Sequence, residues 1–148
     1  MSDAHEAIRN LLGRYCELMD AGDFAGLGAL FSAARMVEEH GHLVAEGADG
    51  VERLYASGTQ LYDSSPRTRH VTTNTIIEVD DDGGGATARS SYVVFQGVDG
   101  FALQPIITGR YRDRFVFDGA WQFAERCFYV DQVGDLSHHL TYAVPGGG

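Results

Sequence analysis

The sequence predicts an α+β fold, on three observations. The first sixty or so residues carry apolar side chains at helical spacing. Everything after Pro66 runs in long β-branched and aromatic stretches. Those stretches are separated by Asp- and Gly-rich turns of the kind that join antiparallel strands. Helices followed by a meander of long strands leave a pocket where a strongly curved sheet folds around the helices.

The elements follow in order. Ser2 or Asp3 caps a first helix, with Glu6 in its first turn where negative charge suits the dipole. Ile8, Leu11, Leu12, Tyr15, Leu18 and Met19 form its apolar stripe, and Gly22 stops it. Asp23 starts a short second helix through Phe24, Leu27, Leu30 and Phe31. Residues 35–40 alternate weakly as a short strand, and Gly41 and Gly47 frame a second. A third helix is expected over 50–62, carrying Val51, Leu54, Tyr55 and Leu61. Strands are then expected over 69–79, 86–96, 101–117 and 120–133, with a bulge or edge position at Pro105. Asp80 to Gly85, Gly97 to Gly100 and Asp118-Gly119 supply the turns.

At 148 residues the chain is read as one domain, residues 1–148, long enough to bury a substantial core. The formal net charge of −10 argues against nucleic acid and against an anionic membrane surface as partners. Cys16 and Cys127 stand far apart, outside any CxxC or Cys/His metal spacing, and read as two small buried residues in a reducing compartment. With no signal-like segment and no long apolar run, a cytoplasmic protein is expected. The pairs His40/His42 and His138/His139 lack metal-ligand spacing and read as surface. No nucleotide, phosphate-loop or nucleophile-elbow motif is present, so no cofactor and no metal are expected.

Three residues carry the candidate chemistry. Leu12, Cys16 and Asp20 form one i, i+4 row flanking the apolar stripe. Asp20 is then either a helix end reaching solvent or a carboxylate held at the edge of the core, where the dipole disfavours it unless it has a task. His70 follows Pro66-Arg67-Thr68-Arg69 and shares strand parity with Thr72, Asn74 and Ile76. It is either a structural histidine or, given a carboxylate on one ring nitrogen, a base. Arg126 shares a face with Ala124, Phe128 and Val130 and needs a counter-charge or a ligand. Arg110, Arg112 and Arg114 share the solvated face of their strand. Tyr15, Tyr55 and Tyr92 are candidate hydrogen-bond donors to a substrate carbonyl.

The helix ending in Asp20, the Asp23-Phe24-Ala25-Gly26-Leu27 continuation, Arg67-Thr68-Arg69-His70 and Trp121-Gln122-Phe123-Ala124-Glu125-Arg126 together resemble the SnoaL-like branch of the nuclear transport factor 2 superfamily. More narrowly they resemble its scytalone dehydratase, hexachlorocyclohexane dehydrochlorinase and bile-acid dehydratase relatives, over roughly residues 5 to 133. The resemblance implies a cone-shaped α+β barrel of the cystatin-like kind, with a curved, mainly antiparallel sheet wrapped by about three helices around an apolar pocket. It implies a catalytic pair, Asp20 and His70, with Arg126 beside it. It also marks departures: Met19 stands where scytalone dehydratase has a tyrosine, and Phe95 where that enzyme has a second pocket histidine. Met19, Phe95 and Phe128 are accordingly expected to line the substrate site.

The expected function is a cofactor-free lyase or double-bond isomerase acting on a hydrophobic cyclic small molecule. The alternative is a non-catalytic ligand-binding or scaffold subunit. Relatives of this type suggest a homo-oligomer, trimer or dimer.

Overall fold

The computed structural model describes residues 3–144. Three helices pack on one face of a curved six-stranded sheet. The elements are α1 (Ala4–Ala21), α2 (Phe24–Leu30), β1 (Arg35–Glu38), β2 (Leu43–Glu46), α3 (Gly47–Gly58), β3 (Thr68–Val79), β4 (Gly85–Val98), β5 (Phe101–Phe117) and β6 (Trp121–Val133). The sheet order is β2-β1-β6-β5-β4-β3. All neighbours are antiparallel except β1 and β6. The tail end, 145–148, and Ser2 as an alternative cap lie outside the described residues.

Asp3 caps α1 by accepting from the His5 backbone N–H. Ile8, Leu11, Leu12, Tyr15 and Met19 are buried along one stripe, each contributing about 1.5–3 kcal/mol by leaving water. Gly22 ends the helix in the left-handed region at φ 70, its N–H turned back to Leu18 and Met19. That closure requires glycine, because a Cβ there would meet the Ser64 carbonyl at 2.6 Å. It leaves Asp20 in the last turn, facing the start of β3.

The third helix differs from expectation, running three residues earlier and ending at Gly58 rather than Tyr62. Thr59 is extended and bridges Leu140, and the Gln60 N–H donates to the His139 carbonyl. A distant segment thus supplies hydrogen bonds that a further helical turn would have made internally.

Two bulges change the faces expected for side chains. In β3 the register shifts between Thr73 and Ile76, with Asn74 at φ 54. One extra residue reverses the alternation, so Ile76 points outward and Ile77 inward. In β6 the register shifts between Phe123 and Glu125, so Arg126 shares the concave face with Phe123 and Phe128 but not with Ala124. A third irregularity lies at Pro105, as the proline suggested. Tyr111, Asp113 and Phe115 point into the core, and Arg110, Arg112 and Arg114 point to solvent.

Candidate active site

In the row Leu12, Cys16 and Asp20, the last two residues meet β3. Leu12 is buried, the Cys16 Sγ lies 3.3 Å from the Thr72 hydroxyl, and Asp20 meets Thr68 and His70. Its Oδ1 accepts from the Thr68 hydroxyl at 2.9 Å and lies 2.6 Å from the His70 Nδ1. Its Oδ2 accepts from the His70 backbone N–H at 2.8 Å. Burial works against the Asp20 charge, but the hydrogen bonds and charge of His70, with Thr68, outweigh it. The carboxyl is therefore held below its ordinary value. An ionised carboxylate only accepts, so the Nδ1 it touches carries the proton. In the neutral ring the lone pair is then on Nε2, the nitrogen that Asp20 does not occupy.

His70 forms part of the wall of a cavity of ≈380 Å³ between the helices and the sheet. Tyr15, Met19, Tyr55, Tyr92, Arg126 and Phe128 also line it. Phe95 does not. Strand alternation turns Val94 inward, 3 % exposed, and sends Phe95 to the opposite face. Tyr92 and Phe95 have opposite parity on β4 and cannot share one wall. A wider, open groove of ≈670 Å³ lies elsewhere, around Arg67, Asp99, Phe101 and His138, and neither Asp20 nor His70 borders it.

The tyrosines differ in what they offer. Tyr15 and Tyr55 place their hydroxyls 2.9 Å apart, and Tyr55 also reaches the Met36 sulfur at 3.6 Å. Burial pushes both phenols well above their ordinary value, so both keep their protons. Tyr92 corrects its expected role as a donor: its hydroxyl already donates to the Tyr129 carbonyl at 3.0 Å. It shows the cavity its ring, stacked on Tyr111 with centroids 4.5 Å apart.

Arg126 is 1 % exposed and faces Asp113, 2 % exposed, directly across the ladder. Nε and Nη2 donate to the two carboxylate oxygens at 2.8 and 3.0 Å. Burial disfavours the guanidinium charge, but Asp113 outweighs it and holds Arg126 firmly protonated. Its carbon sits 3.6 Å from the Tyr111 ring centroid and 4.4 Å from that of Tyr15. Nη1 is buried with no partner. The counter-charge is Asp113, which takes two of the three guanidinium nitrogens.

One lining residue departs from the sequence reading. His139 is not surface but 6 % exposed, with its ring in the cavity wall and its centroid 6.2 Å from that of His70. Leu136 and Leu140 flank it and are the only sequence signal that this stretch turns inward. His138 stacks on Phe101 outside the cavity. His42 is exposed and pairs with Glu38. Among the described residues no group of three or more His, Cys, Asp or Glu is placed to hold a metal. No helix among them is long and apolar enough to cross a membrane. Cys16 and Cys127 are free and half-buried.

The SnoaL-like domain family matches residues 1–127. None of the curated proteins matches the chain in sequence. A protein of unknown function from Mycobacterium tuberculosis is 26% identical with a TM-score of 0.69, covering 86% of this chain and 71% of its own. A nuclear transport factor 2-like protein with a cystatin-like fold from Novosphingobium aromaticivorans is 23% identical with a TM-score of 0.65, covering 85% and 80%. A candidate scytalone dehydratase from the same organism is 20% identical with a TM-score of 0.68, covering 95% and 88%. The last two establish likeness of fold.

Proposed function

The chain belongs to the SnoaL-like domain family, and on that premise we propose that it is a cofactor-free lyase. Its substrate is a hydrophobic cyclic small molecule, and elimination of water is its reaction. The observation that carries this reading is the 2.6 Å contact between Asp20 and His70 in the wall of a mostly apolar cavity.

The chemistry follows from the proton inventory. Nε2 of His70 takes the proton from a carbon next to a carbonyl, and the released electron pair moves onto the carbonyl oxygen. The electrons then return, a C=C bond forms and the β-hydroxyl leaves. The proton on Nε2 passes to that oxygen, so water departs and the ring is neutral again. Asp20 stays ionised, orients the ring and stabilises the imidazolium. Tyr15 and Tyr55, whose hydroxyls meet each other at 2.9 Å, are the donors proposed for the oxygen that gains charge. The Arg126 cation stacked on the Tyr15 ring favours that charge. Returning the proton to a different carbon would make the same parts an isomerase.

Turnover of a panel of cyclic enols, hydroxy-ketones and halogenated rings tests the proposal. His70→Ala should lower turnover of a working substrate by about a hundred- to ten-thousand-fold without unfolding the protein. Ligands that bind beside His70 and are never converted by the wild type would favour the ligand-carrier reading. The same purification, followed by light scattering, tests the proposed homo-oligomer.

A further inference from the structure

The segment after β6 contributes a group that neither the dyad nor the tyrosines account for. His139 sits on a strap clamped by residues from two directions. The Gln60 backbone N–H donates to the His139 carbonyl at 2.7 Å, and the Gln60 amide donates to the Leu140 carbonyl at 2.6 Å. Tyr62 and Gln96 both donate to the His138 carbonyl, at 2.6 and 3.0 Å. The backbone on both sides is therefore held, and the ring is aimed into the cavity wall without help from its own nitrogens. Its Nδ1 is buried and meets no partner. An unpaired buried nitrogen costs about 1–3 kcal/mol, and the ring is held here all the same, as part of the wall of the cavity that His70 also lines.

We propose that His139 is a second substrate-binding imidazole, which hydrogen-bonds a substrate oxygen adjacent to the carbon that His70 deprotonates. It thereby makes the cavity selective for oxygenated rings over halogenated or hydrocarbon rings of the same shape. The centroid separation of 6.2 Å, with ring planes 65° apart, lets the two imidazoles meet neighbouring atoms of one ligand. Burial keeps the ring neutral, so it brings a hydrogen bond and no net charge. A site that hydrogen-bonds an oxygen rejects the analogue lacking it far more strongly than an apolar wall rejects an extra methylene. The inference takes its substrate frame from the lyase reading, but binding alone tests it.

The probes are 2-naphthol and 2-chloronaphthalene, matched in shape and titrated calorimetrically. The wild type should bind the naphthol about tenfold more tightly or better. In His139→Phe that preference should shrink by about three- to tenfold, the range of one neutral hydrogen bond, while His139→Asn keeps most of it. Asp20→Asn should lower turnover by about a hundred- to ten-thousand-fold, yet adding His139→Phe to it should still shrink the preference by about three- to tenfold, which separates failure of this inference from failure of the lyase reading. Should His139→Phe not fold, the ¹⁵N resonances of the wild-type His139 ring must shift on addition of 2-naphthol. Equal affinity for the two probes, no binding of either, an unchanged ratio in His139→Phe, or unmoved His139 resonances would each overturn the proposal.

Discussion

Replacing Asp20 by asparagine keeps the shape of the side chain and changes one acceptor into a donor. The consequence depends on which oxygen is lost. Oδ2 accepts from the His70 backbone N–H, which can only donate, so the amide oxygen belongs there. The NH₂ group then takes the place of Oδ1, between the Thr68 hydroxyl and the His70 Nδ1. The hydroxyl can rotate to accept. Nδ1 can accept only by giving up its proton, which moves to Nε2 and removes the lone pair of the proposed base. The flipped amide would keep the tautomer but would set two donors face to face, at a cost of about 1–3 kcal/mol. The unproductive tautomer should therefore dominate by roughly five- to 150-fold. Loss of the charge-assisted bond to the imidazolium removes about 1.5–3 kcal/mol more. Together these predict a fall in turnover of about a hundred- to ten-thousand-fold. Nitrogen-15 NMR of the histidine rings reads the tautomer without any substrate. The wild type should show Nδ1–H with a bare Nε2 at His70, and Asp20→Asn the reverse. A bare Nδ1 in the wild type, or the same tautomer in both proteins, refutes the reasoning.

Three further outcomes are expected. Burial, with His70 acting in the same direction, pushes the His139 imidazole down to about 4, whereas an unfolded histidine takes its proton near about 6.5. Between those values the unfolded chain binds more protons, so stability should fall by roughly 3 kcal/mol as pH drops through that window. Asp20, the opposing charge near that ring, continues the loss at lower pH as its own depressed carboxyl protonates. Urea unfolding at stepped pH measures this, and a flat profile between those values would contradict the His139 burial. Arg126→Met should cost about 3–5 kcal/mol by stranding the buried Asp113 carboxylate, and adding Asp113→Leu should recover most of it; additive losses in denaturant melts would argue otherwise. Gly109→Ala should cost about 1–3 kcal/mol, because a Cβ there collides with the Tyr129 carbonyl and the Tyr92 hydroxyl. A thermal melt unchanged from wild type would show that β5 and β6 can part at no cost.

Much of the site was readable because its residues sit on strong local patterns. Asp20 belongs to an i, i+4 row on a helix whose two ends are both marked by their capping residues, so the wheel places it at the edge of the stripe, and the contact with β3 decides between core and solvent. His70 lies before the β3 bulge at Asn74, and its inward face was unaffected by it. Residues beyond irregularities were misread. The faces expected for Ile76 and Ala124 assumed unbroken alternation, and each bulge adds a residue that only pairing with the neighbouring strand reveals. Phe95 was placed by analogy with a relative, against the alternation of its own strand. His139 was read as surface because it is one of two adjacent histidines near a glycine-rich tail, while the groups that hold its backbone, Gln60, Tyr62 and Gln96, lie some forty to eighty residues away.

The amino-acid order by itself determined the helices, the long strands, the turns between them and the place of Asp20 at the edge of the α1 apolar stripe. These depend on periodicity and on backbone preferences within a few residues. Tertiary structure alone decided that α3 stops at Gly58, that Asp113 neutralises Arg126, and that a second imidazole stands beside the first. Each of those rests on a hydrogen bond or a ring contact between segments far apart in the chain, and no local pattern encodes where such partners meet.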